Sequence, residues 1–257
     1  MTDNFKKFKN LHHGKNLFVL PNAWDAKSAL MFQEKEFEAI GTSSAAVSAS
    51  MGYEDGEGMP FGDYLFVIRK ILNAVKIPVT VDVEMGYGKS YTKIAENIQK
   101  LIEMGVVGIN IEDSGIANAK RSLKDVNEFA KTIEHIKNQL TVKNLSIFMN
   151  IRCDTYLLDI KDKQKETTDR LIKYQSAGAD GIFLPCINDE NDIAEAAGNL
   201  KLPLNVMCYP GLPGFDKLNE LGVKRVSMGP FMFNTIYKKA GELCQKIIDK
   251  KKFSPIL

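Results

Sequence analysis

The sequence predicts an α/β protein whose alternating strands and helices close into a (β/α)8 barrel. Three observations carry that prediction. The chain has 257 residues, close to the roughly 250 typical of an eight-unit barrel. Short Val- and Ile-rich runs recur about every 30 residues, the length of one strand-helix-strand step. Each run is followed by a polar or glycine turn and a stretch with helical spacing, and no Pro-, Gly- or Ser-rich linker interrupts the alternation. One domain covering residues 1–257 is expected, with an open doubly wound sheet as the weaker alternative.

The eight strand runs, in order, are LFVL from Leu17, AIGTSS from Ala39, VTVDVE from Val79, GINIED from Gly108, LSIFMNIR from Leu145, GIFLP from Gly181, LPLNVM from Leu202 and RVSMG from Arg225. Between the third and fourth, YTKIAENIQKLIEMG puts Ile94, Ile98, Leu101 and Ile102 on one helical face and ends on Gly105, a C-cap residue. After the fourth, DVNEFAKTIEHIKNQL keeps Val126, Phe129, Ile133 and Ile136 together behind an Asp125 N-cap. EMGVVGIN, SAGADGIF and ELGVKRVS repeat one device, a helix that stops at glycine and turns into the next strand. The last helix is expected from about Asn234 to Lys250, with Ile236, Ala240, Leu243, Ile247 and Ile248 largely on one face.

Composition bounds the partners. Hydrophobic residues make up 44% and charged residues 26%, and 34 basic against 32 acidic residues leave a formal charge of +2. No block of like charge suits nucleic acid or a membrane surface, so a small molecule is the expected partner. No apolar stretch approaches the roughly 18 residues of a membrane span, and the charged N-terminal segment has no signal-peptide core. Cys153, Cys186, Cys208 and Cys244 are scattered without zinc-ligand spacing, and read as reduced, mostly buried thiols of a cytoplasmic protein.

In such a barrel the chemistry sits at the C-terminal strand ends. With Val79, Val81 and Val83 facing the helices, the period of two turns Thr80, Asp82 and Glu84 inward. The fourth strand likewise sends Asn110 and Glu112 inward, and the fifth Asn150, Arg152 and Asp154. Asp82, Glu84, Glu112 and Arg152 are thus expected in one mouth. One arginine cannot neutralise three acids, whereas a hard divalent cation with oxygen and water ligands can. No cysteine or histidine belongs to this inward-facing set, which favours magnesium over zinc. The structural alternative is an ion-pair network that merely closes the barrel. His12, His13 and His135 lie outside the strand ends, so nucleophilic triads and three-histidine zinc sites are not expected. Asn22 or Asp25 is either a site residue or simply a helix N-cap, GTSSAAVSAS either brings backbone amides close to a ligand or makes a tight strand-helix junction, and Gly86 and Gly88 form a turn that is either part of the site or purely structural.

LPNAWDAKSA, GTSSAAVSASMGYEDGEGMP, VTVDVEMGYG, VGINIEDS and NIRCDTYL, in that order, resemble the phosphoenolpyruvate mutase and isocitrate lyase superfamily of TIM barrels. The nearest resemblance is to its short phosphonomutase-like members. The resemblance implies a Mg²⁺ enzyme (Mn²⁺ being an alternative) acting on a small 2-oxo or 2-hydroxy carboxylate through a pyruvate enolate-like intermediate. It implies that Asp82 holds the metal most directly and that Glu84, Glu112 and Asp55 hold its waters. The amides around Ser44 and Ala45 and the Ser43 hydroxyl would bind the pyruvate-like carboxylate and enolate oxygen, and Arg152 the other anionic group. It also implies a homodimer or homotetramer with the C-terminal helix exchanged between subunits.

The chain departs from that pattern after the fourth strand. The lyases carry an acid-base cysteine and a histidine in this gating loop, but here it reads IEDSGIANAKRSLKDV with neither. Isocitrate-type cleavage is not expected. Asn118 stands in poorly for the mutases' loop asparagine, while Lys120 and Arg121 are either substrate-facing charges or solvated ones. Decarboxylation of an oxaloacetate-like substrate asks least of the missing residues, since carbon dioxide leaves without a proton and water, Tyr53, Tyr87 or Tyr156 could protonate the enolate later. A phosphonate mutase is the second expectation, and a catalytically silent barrel that keeps its metal site is the third.

Overall fold

The computed structural model describes residues 2–118 and 120–257. Helix α1 (Asp3–His12) precedes the first strand, which Pro21 divides into β1 (Phe18–Leu20) and β2 (Asn22–Ala23). There follow α2 (Ala26–Glu34), β3 (Ile40–Thr42), α3 (Ser44–Ser50), α4 (Phe61–Ala74), β4 (Val79–Asp82), α5 (Tyr91–Met104) and β5 (Gly108–Glu112). A hairpin of β6 (Ser114–Ala117) and β7 (Lys120–Leu123) leads to α6 (Val126–Val142), β8 (Phe148–Arg152), α7 (Lys163–Ser176) and β9 (Gly181–Leu184). The chain ends with α8 (Glu190–Gly198), β10 (Leu204–Met207), α9 (Phe215–Glu220), β11 (Val223–Ser227) and α10 (Phe231–Lys250).

The parallel sheet runs β1-β11-β10-β9-β8-β5-β4-β3-β2. Its two ends are halves of one strand: β1 pairs with β11 and β2 with β3, so the sheet closes on itself. Proline causes the split, because it offers no N–H to the ladder, yet the Pro21 carbonyl still accepts from the Gly41 amide at 2.8 Å. All eight expected strands are present, and the open-sheet alternative is excluded.

Alternation along each strand builds two layers. Val79, Val81, Val83, Ile109, Ile111 and Ile151 pack outward against Ile94, Ile98, Leu101, Phe129, Ile133 and Ile136 of the helices in one apolar cluster. Gly105 caps α5 at φ +105°, a left-handed conformation that suits glycine, and Asp125 caps α6 by accepting from the Asn127 and Glu128 amides. Asp25, not Asn22, caps α2, in a reciprocal capping box with Ser28. The Asn22 amide instead ties the barrel ends, donating to Thr42 O and accepting from the Met228 and Gly229 amides.

Helix α1 has no counterpart among the sequence expectations. Its Phe5 and Phe8 pack on Phe18, Leu20, Ala39, Val107 and Phe148, residues at or near the N-terminal ends of the strands, and so plug the barrel floor. His12 joins them, buried, its ring stacked at 4.0 Å on Phe148. Helix α10 does the opposite: it begins three residues earlier than expected and none of its 20 residues is buried. The thiols also differ from expectation. Cys153 is buried and Cys186 half-buried, but Cys208 and Cys244 are exposed, because one follows β10 at the open end and the other lies on the uncovered α10. Among the described residues no helix is long and apolar enough to cross a membrane.

Candidate active site

A cavity of about 170 Å³ opens at the C-terminal strand ends, and Ser43, Ser44, Ala45, Asp55, Asp82, Asn110 and Arg152 are among the residues that line it. That is below the roughly 300 Å³ at which sites for drug-sized ligands begin, so it suits a ligand of a few heavy atoms. A larger apolar cleft of about 450 Å³ lies at the base of α10, lined by Leu212, Phe215, Phe231 and Met232. It lacks the converging charges that chemistry needs.

Strand β3 ends at Thr42 and α3 begins at once. Ser43 caps that helix, its Oγ accepting from the Ala46 amide at 3.3 Å. The amides of Ser44 and Ala45, as the first two of the helix, have no intrahelical acceptor and border the cavity. The Ser44 hydroxyl donates to Asp82 Oδ2 at 3.2 Å, while Asp82 Oδ1 accepts from the Glu84 amide at 3.3 Å. Both contacts are long, so the carboxylate keeps accepting capacity toward the cavity.

The four expected acids do not all line the cavity. Asp82 does, buried, and Asp55 does from an exposed position at the rim. Glu84 follows β4 with a left-handed backbone (φ +50°), and its carboxylate accepts from the Glu57 amide and the Tyr87 hydroxyl. Glu112 lies behind Arg152 and Arg121. Burial nevertheless makes Asp82, Glu84 and Glu112 expensive to charge. Burial, with repulsion from Glu112 and Asp55 and only partial relief from Arg152, raises Asp82 to about 6. Burial and then repulsion from Asp55, Asp82 and Glu112 push Glu84 up to about 8. Glu112 is raised by burial despite its two arginines.

Arg152 is held by Glu112 Oε2 at 3.0 Å and Asp154 Oδ1 at 2.6 Å, and these carboxylates outweigh burial in keeping it charged. It is not the only cation, as the sequence had implied. Arg121, on β7, pairs with Glu112 and donates to Ser114 Oγ at 2.8 Å. Lys124 Nζ donates to Glu112 O at 3.2 Å, and burial lowers its affinity for its proton. Nor was Glu57 foreseen: its carboxylate accepts from the Tyr87 amide at 2.6 Å, joining the loops after α3 and β4. Its place two residues beyond Asp55 in EDGEG was the available signal.

Six carboxylates (Asp55, Glu57, Asp82, Glu84, Glu112, Asp154) therefore face three cations (Arg121, Lys124, Arg152), and a divalent ion fits that excess. Among the described residues, no three His, Cys, Asp or Glu side chains converge closely enough to ligate one ion directly. Ligation by Asp82, with water filling most of the shell, matches Mg²⁺, which dehydrates reluctantly.

The β6–β7 hairpin stands where a gating loop was expected. Its roots are tied together by the Lys124 amide on Asp113 O at 2.8 Å. Buried Arg170 of α7 clamps both roots, donating to Asp113 Oδ2 at 3.0 Å and to Lys124 O at 3.1 Å. Ile116 packs over Gly56, where an added Cβ would lie 2.3 Å from Ile116 Cδ1. Asn118 and Lys120 are exposed near the hairpin turn, which gives Lys120 the solvated reading. Of the three tyrosines, only Tyr87 borders the acids. Tyr53 donates to Asp63, and Tyr156 engages Asp192. The Gly86 turn is fixed, because Asn97 Nδ2 donates to Gly86 O and Tyr87 O.

The family model for phosphoenolpyruvate phosphomutase matches residues 8–248. The chain belongs to this family. An uncharacterised Mycobacterium tuberculosis H37Rv protein is 38% identical over 94% of this chain and 89% of its own. The 2-methylisocitrate lyase of Bacillus subtilis is 27% identical over 86% of this chain and 73% of its own. Oxaloacetate decarboxylase of Pseudomonas syringae pv. tomato is 25% identical over 85% and 76%. A Burkholderia cenocepacia J2315 crystal structure, provisionally described as a phosphonomutase, superposes with a TM-score of 0.89 at 32% identity, covering 95% of this chain and all of that one.

Proposed function

We propose that this family member is a Mg²⁺-dependent enzyme that decarboxylates or cleaves a small 2-oxo carboxylate of the oxaloacetate type through a pyruvate enolate-like intermediate. The observation that carries the reading is the single small cavity in which the Ser44 and Ala45 amides, Asp82 and Arg152 converge. The amides hold the 2-oxo carboxylate, and Arg152 pairs with the second carboxylate. Asp82 would hold the ion and Asp55, on the same cavity wall, its waters, while Glu84 and Glu112, behind the lining, would add to the negative charge around it. When bound, the ion supplies a Lewis acid that favours negative charge on the 2-oxo oxygen. The hairpin flanks the rim of the cavity, its Ile116 packed over Gly56 beside Asp55. It carries neither cysteine nor histidine, so the reaction that suits it best needs no base to start, as in loss of carbon dioxide. Water or Tyr87 returns the proton to C3.

A phosphonate mutase is the second reading, favoured by the Burkholderia structure; the exposed position of Asn118 speaks against it. The test is a panel of oxaloacetate, methylisocitrate and phosphonopyruvate assayed with Mg²⁺ and with chelator. Mg²⁺-dependent pyruvate release from oxaloacetate supports the first reading, and phosphonopyruvate turnover alone supports the second. No turnover of any, with Mg²⁺ bound, points to a silent barrel.

The unburied α10 also supports a homo-oligomer. It presents Ile236, Tyr237 and Ile248 to solvent beside the apolar cleft at its base, an arrangement that a second copy of the chain would cover. A monomeric mass by light scattering at micromolar concentration would contradict this.

A further inference from the structure

Directly beneath the cavity the barrel core holds a cation with no carboxylate partner. Arg225 of β11 is fully buried. Its NH2 donates to Asn110 Oδ1 at 2.8 Å and to Asn205 Oδ1 at 2.7 Å, its NH1 lies 3.3 Å from His12 Nε2, and its Nε is unpartnered. Arginine offers donors only, so the Asn110 atom facing it must be oxygen. Asn150 fixes the same orientation, because its Nδ2 donates to Asn110 Oδ1 at 2.9 Å. With its oxygen held from below by two donors, the amide must turn Nδ2 the other way. Asn110 lines the cavity and stands in register beside Asp82 on the neighbouring strand. Among the described residues nothing accepts from Asn110 Nδ2.

We propose that Asn110 Nδ2 is a substrate-contacting donor in the cavity floor, aimed at an oxygen of a small enol or 2-oxo carboxylate, and that Arg225 is the positioning residue that fixes its amide. This rests on the reading of the preceding subsection. The buried guanidinium also polarises the amide it holds, since linked hydrogen bonds strengthen one another in a low-dielectric core. A merely structural Asn110 would serve only to solvate Arg225, and the two roles separate cleanly.

In Asn110→Asp the shape is kept and Arg225 gains a carboxylate, but the upward donor is lost. Thermal stability is expected to stay level or rise, while affinity for oxalate, an enolpyruvate mimic, in saturating Mg²⁺ falls by about 10- to 100-fold, the worth of a hydrogen bond to a charged group. Asn110→Ser provides a second variant, expected to weaken oxalate similarly with Mg²⁺ affinity unchanged. Arg225→Lys should weaken oxalate in the wild-type background and have no further effect in Asn110→Ser. Oxalate binding as tight as wild type in both Asn110 variants overturns the inference and leaves the proposed function standing. A wild-type protein that binds no oxalate in Mg²⁺ overturns both.

Discussion

Replacing Arg170 by methionine should unfasten the roots of the hairpin and cost much of the protein's stability. Arg170 is 5% exposed and Asp113 is fully buried, 3.0 Å from it. Asp113 Oδ2 also accepts from Tyr174 at 2.8 Å, and its Oδ1 from the Asp154 amide at 2.9 Å. Methionine fills the space of the arginine stem but leaves that carboxylate without a cation. Removing one partner of a buried pair costs about 3–5 kcal/mol, or a drop in Tm of about 10 °C for a chain this long. Burial already raises the Asp113 carboxyl above its usual range, and without Arg170 it rises further. The variant's deficit should therefore shrink as pH falls and Asp113 takes up a proton. Asp113→Asn added to Arg170→Met should recover part of the loss for the same reason. Urea denaturation at pH 8 and pH 5.5 measures both effects. A deficit below about 1 kcal/mol, the range of an exposed pair, or one that is equal at both pH values, would mean that Arg170 does not hold the Asp113 charge.

Other consequences follow from the same structure. His12 is held neutral, by burial first and by Arg225 next, so the native state binds its proton more weakly than the unfolded chain does. Its contribution is intact above pH 6.5 and is lost as pH falls below it, by up to about 1.4 kcal/mol per pH unit; His12→Gln should flatten that part of a stability profile. Mg²⁺ at about 100 times its Kd should add about 2.7 kcal/mol of stability, and Asp82→Ala should abolish the gain in a thermal scan. Gly56 sits at φ +89° under Ile116, so Gly56→Ala should cost about 1–2 kcal/mol and raise KM by displacing the hairpin tip, read by steady-state kinetics.

Much of this architecture was legible because strand periodicity is a strict rule. Once Val79, Val81 and Val83 are assigned to the helices, Thr80 and Asp82 have no other side to face, and the same logic places Asn110, Asn150 and Arg152. The rule ends where the strand ends. Glu84 lies beyond β4 with a left-handed backbone, so alternation no longer governs its direction, and it turns to the Glu57 amide. Arg121 was visible only as a loop charge, because its reach to Glu112 depends on a hairpin whose pairing local patterning does not encode. The α1 plug is not legible in the sequence, because its apolar residues, Phe5, Phe8 and Leu11, are sparse among lysines and matter only against the barrel floor. In the sequence Arg225 shows only as the opening of a strand; its burial follows from the closure of the barrel, a property of the whole chain.

The most direct measurement is calorimetric titration of oxalate into the protein with Mg²⁺, without it, and with Asp82→Ala. One oxalate per chain is expected to bind, only when Mg²⁺ is present, with no binding to Asp82→Ala that remains folded. Oxalate binding that ignores Mg²⁺, or that survives loss of the Asp82 carboxylate, would mean that this cavity is not a metal-dependent carboxylate site.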